Sequence, residues 1–288
     1  MITGCREAPS ARAASLKQVA ATREEQLARR LAAAQTDSTK DPPVAMWIMP
    51  SELREISGLA LTSRGTVLTH DDEIGKIYEI DPKAGIILKR FTLSGLPHGD
   101  FEAITIAGTD VYLLESNGKI FRFKEGADGA EVPYSKYDTH RGKECEFEST
   151  ACEADSARLV LVCKKVLMKG ANHDLVIYRF PMPLTDSTRP TVITVPMSEL
   201  AGANRWKSFH ASDMNIDPVT GNYVIIASRQ RAIAVVTPEG DVVRSGPIPA
   251  AAEHNQAEGV AITKDNLLLI SDEATHVPAD LSVYPWRK

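Results

Sequence analysis

Glu55-Ile-Ser-Gly-Leu-Ala-Leu61, Asp100-Phe-Glu-Ala-Ile-Thr-Ile106, Glu146-Phe-Glu-Ser-Thr-Ala-Cys152, His210-Ala-Ser-Asp-Met-Asn-Ile216 and Gln256-Ala-Glu-Gly-Val-Ala-Ile262 are five versions of one segment. The steps between matching positions are 45 residues (Gly58 to Ala103), 46 (Ala103 to Ser149), 64 (Ser149 to Asp213) and 46 (Asp213 to Gly259), so one unit carries an insertion. Short Val-, Ile-, Leu- and Tyr-rich runs bounded by Gly, Asp, Asn and Pro follow each segment, which is the pattern of strands. Second strands are expected at 66–70, 110–115, 158–163, 222–227 and 266–271. Third strands are expected at 76–80, 119–123, 175–180, 232–237 and 281–284, and a fourth is visible in most units, as at 86–91 and 241–244. Four antiparallel strands recurring about every 45 residues describe propeller blades. The expected fold is all-β: a β-propeller over residues 44–288 with five blades, a sixth within 165–209 being the alternative count. The last unit runs out after its third strand, while 44–49 is a strand without a unit. Pairing the two closes the ring and removes an exposed edge.

Residues 1–43 are a different kind of chain, rich in Ala, Arg, Glu and Gln, almost free of aromatics, and ending in Asp41-Pro42-Pro43. Ser15 with Gln18 fits a capping box, and Leu16, Val19, Ala20, Leu27, Leu31 and Ala34 form a narrow apolar stripe, so a helix is expected near 16–35. Arg23 interrupts that stripe. The segment therefore reads as a solvated tether that folds independently of the propeller, with a partner-binding helix as the alternative. Ile2-Thr3-Gly4-Cys5 resembles the end of a bacterial lipoprotein signal without the basic and apolar regions that precede one; a chance tetrapeptide in a cytoplasmic protein is the other reading.

Composition works by exclusion. Thirty-three Lys and Arg against 38 Asp and Glu give a net charge of −5 with no basic block, which argues against nucleic acid as a partner. No run approaches the roughly 20 apolar residues of a membrane-spanning helix, so membrane association is expected only through the N-terminus. Four cysteines (Cys5, Cys145, Cys152, Cys163) are too few for a disulfide scaffold and none has CxxC spacing. With a hairpin turn at 154–157, residue 152 opposes 159 and residue 163 opposes 148, leaving Cys152 and Cys163 about 13 Å apart. That is too far for a bridge, and Cys145, Cys152 and Cys163 are expected as buried free thiols.

The first strand of each propeller blade lines the central channel, and alternate residues along it face one way. The repeats thus form two rings: Glu55, Asp100, Glu146, His210 and Gln256, then, two residues on, Ser57, Glu102, Glu148, Ser212 and Glu258. Carboxylates converging on a narrow axis repel one another, which raises their pKa values or calls for a cation. Calcium or another divalent, oxygen-liganded ion fits Glu102, Glu148 and Glu258 better than zinc does, with the other ring as outer partners. The bland alternative is that the same acids bond backbone amides and water. Second strands end in Asp71-Asp72-Glu73, Glu115, Lys164, Arg229 and Asp272-Glu273. Asp72, Glu73, Asp272 and Glu273 widen the expected ion site, while Lys164 either meets an anionic ligand or pairs with Glu148 across its hairpin. His98 and His254, each two residues before a ring position, bring imidazoles to the same mouth. No nucleophile elbow, P-loop or dinucleotide fingerprint appears in usable context, so nucleophilic catalysis has no support.

The ordered set Ile56-Ser57-Gly58-Leu59, Asp71-Asp72-Glu73 with Ile77-Tyr78-Glu79-Ile80-Asp81, Asp100-Phe101-Glu102-Ala103-Ile104, Val162-Cys163-Lys164 and Gln256-Ala257-Glu258-Gly259-Val260 resembles the bacterial SdiA-regulated family of β-propellers over about residues 44–285. Ala103 and Ser149 depart from it, standing where glycine is usual after the glutamate, and the helical tail lies outside it. The resemblance implies an extracytoplasmic or membrane-attached protein with calcium on the propeller, and it supplies no reaction. The resulting expectation is a binding or sensing propeller at the cell envelope that holds a divalent ion and presents it to a small-molecule or protein ligand. A metal-dependent hydrolase of lactone or phosphate-ester type and a protein-interaction scaffold are the alternatives, between which fold does not choose.

Overall fold

The computed structural model describes residues 9–34, 42–155, 157–168 and 174–286; the Ile2-Thr3-Gly4-Cys5 motif lies outside them. Five sheets surround one axis, antiparallel except where the two-residue strand Glu131–Val132 pairs in parallel with the edge of the first. Blade one is Ile56–Leu61, Val67–Asp71, Lys76–Asp81 and Ile86–Leu93; blade two is Phe101–Ala107, Asp110–Glu115, Lys119–Lys124 and Tyr134–Asp138. Blade three is Cys145–Glu153, Arg158–Val166, Leu175–Pro181 and Thr191–Val195; blade four is Asp213–Ile216, Tyr223–Ala227, Ala232–Val236 and Val242–Pro247. Blade five is Ala257–Ile262, Leu267–Asp272 and Asp280–Pro285, completed by Ala45–Ile48 from the other end of the chain, with Ala45 opposite Val283 and Ile48 opposite Asp280. The fold is the five-bladed propeller that the repeat spacing predicts. The described residues among 165–209 make the outer half of blade three and a short helix, Met197–Ala201, in place of a sixth blade.

A separate apolar cluster fills each gap between neighbouring blades. Phe91, Phe101, Phe121 and Phe123 pack between blades one and two, Phe147, Tyr178 and Phe180 between two and three, and Val160, Met214 and Tyr223 between three and four. Ile226, Val260 and Tyr284 join four to five, and Leu59, Tyr78, Leu269 and Leu281 join five to one. Each fully buried side chain of this kind contributes about 1.5–3 kcal/mol, so every gap must close for the ring to be stable.

The N-terminal helix, Pro9–Ala33, begins earlier than its stripe suggests and is docked, which corrects the expectation of a solvated tether. Leu27 is 3% exposed within the cluster between blades five and one, where Leu31 and Ala34 also pack. Arg23 assists the docking. Its guanidinium lies 5.0 Å over the Trp47 ring and donates to the Ala84 carbonyl at 2.6 Å, so the cation finds an aromatic face and a backbone acceptor. Arg30 donates to Val44 O at 3.1 Å.

The cysteine expectation also needs correcting: Cys145 and Cys163 are bridged, with Cα atoms 5.6 Å apart, and Cys152 is free. Register irregularities on both sides of Phe147 place Cys163 opposite Phe147 and Cys145 opposite Val166. The two cysteines thereby become diagonal neighbours, a relation that a regular hairpin would not give.

Leu27→Ala should lower unfolding free energy by about 2–4 kcal/mol in urea denaturation, the range for a buried leucine. Reduction of the Cys145–Cys163 bridge should lower it by about 2–4 kcal/mol in the same assay, as expected for a short closed loop.

Candidate cation site at the channel mouth

Three glutamates owe their direction to an extra residue. In blade two Phe101 opposes Glu115 and Ala103 opposes Leu114; in blade three Phe147 opposes Cys163 and Ser149 opposes Val162; in blade five Ala257 opposes Asp272 and Gly259 opposes Ser271. Glu102, Glu148 and Glu258 are the residues left over, each the unpaired member of a β-bulge, a feature that re-aims a side chain. Gly259 shows the tightness: a Cβ there would meet Ser271 Oγ at 2.2 Å. Blades one and four carry serine in this ring, and each stitches the next blade. Ser57 Oγ donates to Glu102 O at 3.2 Å, and Ser212 Oγ donates to Ala257 O at 2.7 Å.

Lys164 stands among the three glutamates. Its ammonium is 2.5 Å from Glu148 Oε1, the cross-hairpin pairing that the sequence allowed, and Glu148 Oε2 is buried without a hydrogen-bond partner among the described residues. Burial pushes the Glu102 carboxyl up to about 9, with Glu148 and Asp100 adding to the effect. Burial likewise pushes Glu148 to about 8 against the pull of Lys164, and Glu258 to about 7, again opposed by Lys164. Burial depresses the Lys164 ammonium, but Glu148, Glu102 and Glu258 outweigh it and its pKa is raised. An internal cation and protons already balance this set.

The rim is different. Asp72, Ser116, Ser228 and Glu273 follow directly on their second strands, beside the first residues of the repeats, and Lys164 takes the corresponding place within the longer second strand of blade three. Here Glu55, Asp72 and Glu273 come together: among the described residues they are the one group of three His, Cys, Asp or Glu side chains whose ligand atoms all lie within 4.8 Å of one another. Burial, then a hydrogen bond with Glu55 and the charge of Asp72, push Glu273 up to about 9. Burial and the charge of Glu55 push Asp72 to about 6, and its Oδ1 is buried without a hydrogen-bond partner among the described residues. Gln256 Nε2 donates to Glu273 Oε2, and Arg54 Nε meets Glu55 at 2.8 Å from a side chain 67% exposed. Such an exposed pair contributes little, so Glu55 can be released. Three clustered carboxyl groups, with the Glu273 proton held tightly, can exchange that proton for one hard divalent cation.

The remaining predicted residues disperse. Asp100 accepts from Ser116 Oγ, Glu73 is exposed, and Glu146 is half-buried at the start of its strand. His210 Nδ1 lies 3.2 Å from Lys164 O. Asp272 turns away from the rim to His254, whose Nε2 is 2.9 Å from Tyr284 Oη, so His254 belongs to a buried relay. His98 and Arg229 are exposed. Asp213 was missed. It is 1% exposed, and its Oδ2 accepts from Val260 N at 2.8 Å and Leu59 N at 3.3 Å, tying blade four to blades five and one across the axis. Its sequence signal is an acid where other units carry Gly58, Ala103, Ser149 and Gly259.

The family model described as SdiA-regulated matches residues 49–276. No curated protein matches the chain. Among solved structures, the chain is similar to glutaminyl cyclase of Myxococcus xanthus, with a TM-score of 0.55 and 12% identity over 84% of this chain and 94% of that one. It is also similar to the PQQ-bound aldose sugar dehydrogenase of Streptomyces coelicolor, with a TM-score of 0.51 and 11% identity over 85% of this chain and 100% of that one. At these identities the likeness is one of fold.

Because Glu102, Glu148 and Glu258 hold protons more tightly folded than unfolded, their contribution is present below the unfolded carboxyl pKa and is lost as pH rises through about 7–9. In chelator, the melting temperature should therefore fall between pH 5.5 and 9, and Glu102→Gln should flatten that fall. Lys164→Met should destabilise by roughly 3 kcal/mol at pH 8.5, as for breaking a buried pair, and by clearly less at pH 5.5, where the acids are neutral. Thermal melts followed by circular dichroism check both.

Proposed function

The chain belongs to the SdiA-regulated family of β-propellers, and we propose that within this fold it acts as a binding protein that holds a divalent cation, calcium first, at the acidic rim of its channel and presents it to a small-molecule or protein ligand. The observation that carries this reading is the convergence of Glu55, Asp72 and Glu273 within 4.8 Å. Calcium takes six to eight oxygens, of which three carboxylates supply at most six, so water or a ligand completes the shell. Glu102, Glu148 and Glu258 already have Lys164 for a counter-ion, which favours the rim over the inner ring. The Cys145–Cys163 bridge supports an oxidising compartment, in keeping with a place at the cell envelope.

After dialysis against chelator, calcium should raise the melting temperature, by about 2.7 kcal/mol of stabilisation at a hundred times its Kd. Binding at pH 7 should release protons, seen as a buffer-dependent heat in calorimetry. Glu55→Gln with Glu273→Gln should abolish the calcium shift, whereas Glu102→Gln with Glu258→Gln should retain it. No shift with calcium, magnesium or manganese at ~10 mM, far above ordinary extracellular-site Kd values, would overturn the reading.

A further inference from the structure

The opposite mouth of the channel holds a cavity that the acidic rim does not reach. The first strands run from Glu55, Asp100 and Glu146 at the rim to Leu61, Ile106 and Cys152, about 20 Å away at the rise of an extended chain. Between the two mouths Asp213 crosses the axis to the backbone of blades one and five. Beyond it, the ends of all five first strands line a recess of about 450 Å³ that is open to solvent, within the size range of small-molecule sites.

The cavity has a sequence cause. At one level of its wall stand Ala60, Thr105, Ala151 and Asn215, short side chains where leucine would fill the axis. At the next level Leu61, Ile106 and Ile216 are only half-buried, so apolar surface faces the open space. Leaving it wet forgoes the stabilisation that burial gives elsewhere in this core.

Polar groups on the same wall are short of partners. Thr105 is 8% exposed, and its hydroxyl makes no hydrogen bond among the described residues. Asn215 Oδ1 accepts from Ile262 N at 3.1 Å, and the Asn215 amide N–H groups have no acceptor among the described residues. Cys152 adds a free thiol, kept protonated because burial pushes it up to about 11. These groups donate, so the complement is an acceptor. Most of the charge at the entrance is paired: Arg64 is shared by Glu79 and Glu125, and Asp265 is paired with Lys83 at 2.7 Å, while Lys264 lines the edge with its side chain exposed to solvent.

We propose that this far-mouth cavity binds a neutral, largely apolar small molecule that carries a hydrogen-bond acceptor such as a ketone or ester carbonyl. Its body lies against Leu61, Ile106 and Ile216, and its acceptor meets Thr105 and Asn215. The site is separate from the cation rim.

The probe is the neutral ketone dye 6-propionyl-2-(dimethylamino)naphthalene, titrated into the full chain. A saturable blue shift with one dye per chain is expected. Thr105→Val should weaken binding roughly fivefold, the loss of one hydrogen bond, and Cys152→Trp, which fills the cavity, should abolish it. Glu55→Gln with Glu273→Gln should bind the dye as the parent does. Absence of saturable binding, or binding unchanged by Cys152→Trp, would show that the cavity is not a site. Where Cys152→Trp fails to fold, alkylation of Cys152 in the parent by N-ethylmaleimide, read peptide by peptide, decides. Saturating dye should slow that reaction at least about fivefold, and an unchanged rate overturns the proposal.

Discussion

One extra residue in the first strands of blades two, three and five determines the chemistry of this channel. A regular strand would pair Glu102, Glu148 and Glu258 with the second strand and alternate them with their neighbours. The bulge frees each from the ladder and turns it inward. Three acids then lose water at one place, and the protein answers with protons and with Lys164, which comes from the same hairpin as Glu148. Where the ring carries Ser57 and Ser212, no counter-charge is needed, and the hydroxyls join neighbouring blades. The rim inherits what this balance leaves over: Glu55, Asp72 and Glu273 have one exposed arginine, the Gln256 amide and each other.

Closure of the ring places that rim. Glu55 and Asp72 belong to blade one and Glu273 to blade five, so the trio exists only across the seam where the first and last blades meet. The seam is braced three times. Ala45–Ile48 pairs with Asp280–Pro285, Leu59 packs with Leu269 and Leu281, and the N-terminal helix lays Leu27 over the same cluster. The backbone contributes as well, through Ala274 N donating to Arg54 O at 2.8 Å. Loosening the seam would part the carboxyl groups that define the candidate cation site.

The repeat made the blades, their order and the strand that closes them legible, because hydrophobic period and spacing are local properties of the chain. Lys164 opposite Glu148 was legible for the same reason, since a hairpin brings them together. The bulges of blades two and three were not, because Ala103 and Ser149 stand where blade five has Gly259; the Cys145–Cys163 pairing was missed with them. The trio at the rim was hidden by a separation of some two hundred residues between Glu55 and Glu273 and by the unknown angle at which blade five meets blade one. Arg23 read as a break in the helix's apolar stripe. Its partners, Trp47 and the Ala84 carbonyl, lie on a surface that the helix sequence does not describe.

Asp213 decides whether the two mouths are one passage. It is buried, and burial raises its pKa well above the usual carboxylate range while the N–H groups of Val260, Met214 and Leu59 pull it down. Opening the axis would strip the N–H groups of Leu59 and Val260 of their acceptor in a dry setting, at a cost of about 1–3 kcal/mol for each unsatisfied group. Lys164 and Glu148 would then face whatever entered from the far side, and their pairing depends on the same exclusion of water. The channel is thus better described as two back-to-back recesses than as a conduit. The acidic rim and the apolar cavity meet solvent on opposite faces of the ring, and each takes its chemistry from a different half of the same five strands.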